Sequence, residues 1–282
     1  MYPMHTQGVY LLLGSISIVT SVQEQSDAEV VRMSHIVGVS VMTNNTIICR
    51  ILPCIALLLT TCTTPPKTTT EDPPSNPFRV LIIGDSISKA YTRPVGKKLK
   101  DSAVVVRPKR SDGKGGENCE GTTKGVKEID RWLTTDGGDF DIIHFNFGLH
   151  DIKRMNPSSG TASTNPRHPQ QATLEVYTAQ LEKITERMQE SGAILVFATT
   201  TPVPEGGVRP HRDPKDVVTY NAAAVDLMEK RGIAVNDLYT FALPRLEELQ
   251  RPVNVHFTRI GSDALAEKVA ESIILNGPLR PK

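Results

Sequence analysis

Four stretches far apart in the chain carry the groups that acyl transfer needs. They are Gly84-Asp-Ser86, Asn118-Cys-Glu-Gly-Thr122, Gly148-Leu-His-Asp151 and Val255-His-Phe-Thr258. A serine hydroxyl becomes a nucleophile when a base sits beside it, and its attack on a carbonyl creates an oxyanion that must be met by hydrogen-bond donors. Ser86, the histidines and the glycine backbone are parts of that kind. The plainer reading of the first stretch is that Asp85 or Ser86 only caps a helix, which both residue types do well.

The elements that must position these groups are legible around them. Val80-Leu-Ile-Ile83 reads as a fully buried strand. It ends at Gly84, and Ser86 falls where the chain leaves the sheet for a helix-compatible segment. A helix start there offers backbone N–H groups and a positive dipole end to an oxyanion. Further β-branched runs lie at Ala103–Val106, Asp141–Phe145, Ala193–Ala198 and, more weakly, Ile233–Val235. Helical patterns lie near Thr122–Thr134, Thr173–Ser191, Lys215–Arg231 and Gly261–Leu275. This alternation predicts an α/β fold with a parallel sheet covered on both faces. Its carboxyl edge would carry Ser86 after the first strand, Gly121 before the helix that follows the second, and His150 and Asp151 after the third. His256, just before the last helix, falls on the same rim. Two long polar loops, Asn156–Gln171 and Pro202–Pro214, belong to that edge too, where sites of open α/β sheets are built.

Taken together and in this order, the four stretches resemble the blocks of the SGNH (GDSL-type) hydrolase superfamily, over about Phe78 to the C-terminus. Gly84-Asp-Ser86 resembles the nucleophile block, Gly121 the glycine block, Gly148-Leu-His-Asp151 the block usually written Gly-x-Asn-Asp, and Val255-His-Phe-Thr258 the base block. The resemblance implies a three-layer α/β/α sandwich with a mostly parallel five-stranded sheet, of flavodoxin-like form. It implies Ser86 as nucleophile, His256 as base, and an oxyanion hole made by the N–H groups of Ser86 and Gly121 with a third donor. It implies no cofactor.

Two positions depart from the family. His150 stands where the third donor is an Asn; a neutral imidazole offers one N–H and a protonated one two. The bland alternative is a histidine that packs its loop. In the base block, Asn254 and Val253 stand where an Asp two or three residues before the histidine is usual. An Asn lacks the carboxylate that stabilises imidazolium, and in a Ser–His–Asp system that exchange can cost about 10⁴ in turnover. This leaves a Ser–His dyad oriented by a backbone carbonyl, or a carboxylate from elsewhere. Asp237, near the end of the fifth strand, and Asp151 are the candidates by topology, with Asp237 also reading as a strand-end cap. Glu205 and Arg212, after the fourth strand, are candidate substrate contacts or simply solvent-exposed loop residues. His144, inside a strand, reads as a core histidine.

The 282 residues carry a formal net charge of +1, so no global field argues for nucleic acid or an anionic membrane as partner. The cysteines, Cys49, Cys54, Cys62 and Cys119, lack zinc-type spacing, and the histidines are scattered without carboxylate or His partners at i, i+4, so no metal site is expected. Residues 1–41 read as an extension ahead of the true start. Residues 42–62 read as a signal peptide, with a short apolar core and an ending, Leu59-Thr-Thr-Cys62, that resembles a lipoprotein lipobox. Lipidated Cys62 would anchor the protein stably, so the membrane enters only through that tether. Residues 63–77 read as a Thr/Pro-rich linker, and residues 78–282 as one catalytic domain.

The expectation is an exported, envelope-held serine hydrolase of a carboxylic ester, acting on a small-molecule or carbohydrate O-acyl or O-acetyl group; location and resemblance carry that narrowing. An O-acyltransferase would use the same groups. A glycan-binding domain that has lost catalysis is the reading from another class, and a doubly wound fold that uses Gly84-Asp-Ser86 as an anion cradle is a third.

Overall fold

The computed structural model describes residues 77–278. The extension at 1–41, the leader at 42–62 with Cys62, and the linker at 63–77 except Pro77 lie outside the described residues.

Five strands form one parallel sheet: β1 (Phe78–Ile83), β2 (Ala103–Val106), β3 (Ile142–Phe145), β4 (Ile194–Ala198) and β5 (Ala234–Asn236), in the order β2-β1-β3-β4-β5. Successive strand residues point to opposite faces. Val80, Leu81, Ile82 and Ile83 are nevertheless all fully buried, as are Ile142, Ile143, His144 and Phe145. Both faces of the centre are therefore covered, which is why these strands read as continuous apolar runs rather than alternating ones. α1 (Ser86–Lys98) packs on α7 (Arg259–Asn276), while α2 (Thr122–Leu133), α3 (Leu174–Gln189) and α4 (Pro214–Lys230) pack in sequence on one another. The result is the α/β/α sandwich expected, with all five predicted strands and all the predicted helices in place. Three short helical pieces between β5 and α7, including α5 (Leu238–Ala242) and α6 (Leu246–Leu249), had no periodic signal, because four or five residues are too few to show one.

The strand order fixes where a site can form. From β1 the chain crosses to β2 on one side; from β3, on β1's other side, it crosses to β4. The crevice outside the carboxyl ends of β1 and β3 is the switch point of the sheet. Ile83 pairs with Phe145 in register, so the loops that carry Ser86 and His150 leave the sheet side by side.

The rim is held by polar groups. Buried Arg107, one residue past β2, donates to the carbonyls of Gly84 (2.7 Å) and Glu117 (2.7 Å) and to Thr92 Oγ1 (3.0 Å). It thereby joins the nucleophile turn, α1 and the glycine loop. The Cys119 N–H donates to Gly84 O at 3.0 Å and joins the same two loops directly. Asn146 Nδ2 donates to Ala198 O at 2.7 Å, tying the end of β3 to β4. His144 is a core histidine, as expected: its Nε2 faces Asn236 Nδ2 at 3.2 Å, and burial pushes its pKa down to about 3, so it is neutral.

Candidate active site

Ser86 is the first residue of α1, and Asp85 is the cap. The Asp85 carboxylate accepts from Ile87 N at 2.8 Å. The cap reading thus holds for Asp85 and leaves the Ser86 hydroxyl free to point elsewhere. Ser86 Oγ lies 3.0 Å from His256 Nε2 across 170 residues of sequence.

The base is carried by a tight loop between α6 and α7. Gln250 and Phe257 form an antiparallel bridge, Arg251 N donates to His256 O at 3.0 Å, and Thr258 N donates to Leu249 O at 2.8 Å. Gln250 Nε2 fastens the loop to Pro202 O at 2.8 Å. Within it Val253 has φ 49°, a left-handed conformation that costs a β-branched residue free energy and is held by its surroundings. That turn aims Asn254 back at the histidine. Asn254 Oδ1 accepts from His256 N at 2.9 Å and lies 2.8 Å from His256 Nδ1. A backbone N–H only donates, so the amide atom facing it is the oxygen. That oxygen requires Nδ1 to carry the proton, which leaves the Nε2 lone pair for the Ser86 hydroxyl. The unit is Ser86–His256–Asn254, with an amide where a carboxylate is usual.

This corrects the sequence expectation. Neither a backbone carbonyl nor a distant carboxylate orients His256. Asp151 is fully buried and serves the glycine loop: its Oδ1 accepts from Thr122 N (2.8 Å) and Thr122 Oγ1 (2.6 Å). Burial raises its pKa to about 6, against those hydrogen bonds. Asp237 caps α5, accepting from Thr240 N (3.1 Å) and Thr199 Oγ1 (2.9 Å). Burial would raise its pKa, but these bonds outweigh it and hold the carboxyl below its usual range.

Gly121 caps α2 without a side chain, and the reason is close approach: a Cβ there would sit 2.8 Å from both Asp151 carboxylate oxygens. His150 lines the cavity that holds Ser86 and His256. Lys153 Nζ lies 3.4 Å from His150 Nδ1. An ammonium only donates, so Nδ1 is the acceptor and Nε2 carries the ring's single N–H. Burial, followed by the charges of Lys153, Arg212 and Lys124, pushes His150 down to about 3. His150 is therefore a neutral donor with its tautomer set by Lys153, able to take the place of the family's amide N–H.

Of the two loop residues, Arg212 lines the cavity and Glu205 does not. Arg212 is buried, donating from Nε to Leu149 O (2.7 Å) and from its guanidinium to Pro210 O (3.2 Å), and so braces the loop that carries His150. Burial pushes its pKa down to about 10, which leaves it cationic at neutral pH. Glu205 is exposed, which fits the solvent-exposed alternative. Cys119 is buried with its thiol pushed up to about 11 by burial, so it is no competing nucleophile. Sequence reasoning missed Lys153 and Arg107, whose roles follow from loop geometry alone, and set aside Asn254 for lacking a charge.

A hydroxyl on an imidazole at the carboxyl rim of a parallel sheet, beside a helix start, is an arrangement able to perform serine-hydrolase chemistry. The GDSL-like Lipase/Acylhydrolase family model matches residues 82–264, and the chain belongs to that family. No curated protein matches the sequence. Among solved structures it is similar to a lipase/acylhydrolase from Enterococcus faecalis (17% identity, 73% of this chain and 100% of that one, TM-score 0.54). It is similar also to an acetyl xylan esterase (15%, 69% and 99%, TM-score 0.53). A third is an acetyl-xylooligosaccharide esterase from Geobacillus Stearmophilus (16%, 70% and 94%, TM-score 0.54). At these identities the likeness is one of fold.

Two outcomes test this geometry. Asn254→Asp places a carboxylate against Nδ1, and kcat/KM on an activated ester should rise about tenfold or more, part of the roughly 10⁴ that separates acid from amide in a Ser–His–Asp system; no gain would show that the amide is not the ring's orienting group. His150→Ala should lower kcat by about 10²–10³ with little change in KM, as loss of an oxyanion donor does, and His150→Asn should recover most of it.

Proposed function

We propose that the protein hydrolyses a carboxylic ester through an acyl-enzyme on Ser86, and that its substrate is an O-acetyl or other O-acyl group on a carbohydrate. The observation that carries the mechanism is the 3.0 Å contact of Ser86 Oγ with His256 Nε2, with Asn254 fixing the tautomer from the other side. In the first half-reaction Ser86 Oγ attacks the carbonyl carbon and its proton passes to His256 Nε2. The tetrahedral oxyanion is met by the N–H groups of Ser86 and Gly121 and by His150 Nε2–H. Collapse expels the alcohol, protonated by His256, and leaves the acyl group on Oγ. In the second, water gives a proton to His256 and attacks the acyl carbon; the acid leaves and Ser86 recovers its proton. The carbohydrate part of the reading is supported by two structural relatives described as acetyl esterases of xylan and xylo-oligosaccharide. Export and a lipid tether at Cys62 belong to this proposal on the signal of Leu59-Thr-Thr-Cys62 alone.

The binding-only alternative is not favoured, because a lost activity gives no reason to keep both Ser86 and His256 in hydrogen-bond contact. Incubation with a fluorophosphonate probe and mapping of the adduct by mass spectrometry should place it on Ser86. Labelling should vanish in Ser86→Ala and fall steeply in His256→Ala. A folded protein that takes no label would overturn the mechanism.

A further inference from the structure

Two cavities open on the Ser86–His256 pair. The larger, about 640 Å³, has Lys153, Arg209 and Arg212 in its wall, and no Asp or Glu. The smaller, about 220 Å³, lies on the other side and has Arg251 and Arg259, again with no acid. The whole chain holds 32 Lys and Arg against 31 Asp and Glu, so an all-cationic lining is a property of this site and not of the composition.

The cations are not equally engaged. Arg212 donates to two carbonyls, and Lys153 donates to His150 and lies within the field of Glu120 and Asp151. Arg259 reaches Asp263 only at 3.8 Å with its side chain almost fully exposed. The exposed side chains of Arg209 and Arg251 make no hydrogen bond or ion pair among the described residues. Unpaired guanidinium groups in the wall of a concave site match planar oxyanions, carboxylate above all. A cleft lined by one sign of charge also concentrates ligands of the opposite sign. A neutral xylan-type chain would use none of this.

We propose that the ester taken by this site is carried on an anionic saccharide, one whose sugar bears a carboxylate or a sulfate close to the acylated hydroxyl. Arg209 receives that group in the larger cavity, backed by the charges of Lys153 and Arg212, and Arg251 receives the next one along the chain. This rests on the esterase reading above and narrows its substrate.

The test compares kcat/KM of the full chain on acetylated oligogalacturonate, on an acetylated and sulfated oligosaccharide, on acetylated xylo-oligosaccharide and on 4-nitrophenyl acetate. At least one anionic saccharide should exceed the neutral one by about tenfold or more, the scale of one charge-assisted contact. The better of the two names the group. The anionic-to-neutral ratio should shrink at high ionic strength and in each of Arg209→Gln and Arg251→Gln, exposed positions where the change leaves the core untouched. Turnover of 4-nitrophenyl acetate with no anionic preference, or a preference unmoved by salt and by both variants, would overturn the substrate inference alone. Failure on every ester together with no fluorophosphonate label would overturn it along with the esterase reading.

Discussion

The hydrogen bond from Ser86 to His256 joins the start of α1 to the loop before α7, and most of the architecture around it exists to hold its two ends in place. The serine end is set by Asp85, which caps α1, and by Arg107, which gathers the carbonyls of Gly84 and Glu117. The histidine end is set by a loop pinned at Gln250 and Thr258 and turned at Val253. α1 and α7 pack on each other, so the two ends share a rigid support below the site. Catalytic groups that must meet within a few tenths of an ångström are best placed on such elements, and here each is within a residue or three of a strand or helix end.

The site departs from its family at two positions, and in both a neutral group takes a familiar place. Asn254 orients His256 through an oxygen without a charge, and His150 offers an imidazole N–H where an amide is usual. Both substitutions work through tautomers set by a neighbour that can act in one sense only: a backbone N–H fixes which atom of Asn254 faces the ring, and the Lys153 ammonium fixes which nitrogen of His150 accepts. On our reading the cations around the nucleophile serve substrate selection, while the amide gives up some stabilisation of the imidazolium.

Much of this was legible in the sequence, for physical reasons. β1 and β3 are buried on both faces and so read as unbroken apolar runs. Ser86, Gly121, His150 and His256 each adjoin an element end, so topology alone collects them on one rim. Distances within the rim were not legible. Asp151 and Asp237 share the edge with His256 by connectivity, yet one hydrogen-bonds Thr122 and the other caps α5. Asn254 was set aside by its chemistry as a residue type, whereas its role comes from a left-handed residue at position 253 that turns its side chain back, which no periodicity reveals. Lys153 matters only because the loop after β3 folds its ammonium onto His150. Arg107, one residue past a short strand, gives no sequence signal; its role lies in the carbonyls it meets.

On our reading Ser86 and His256 act as one unit. The direct measurement is a double-mutant cycle on kcat for an activated ester, with Ser86→Ala, His256→Ala and the pair. Each single change should cost nearly as much as both together, because either one already removes the nucleophile–base couple. Losses that multiply in the double variant would contradict it, since they would mean that the two side chains contribute independently.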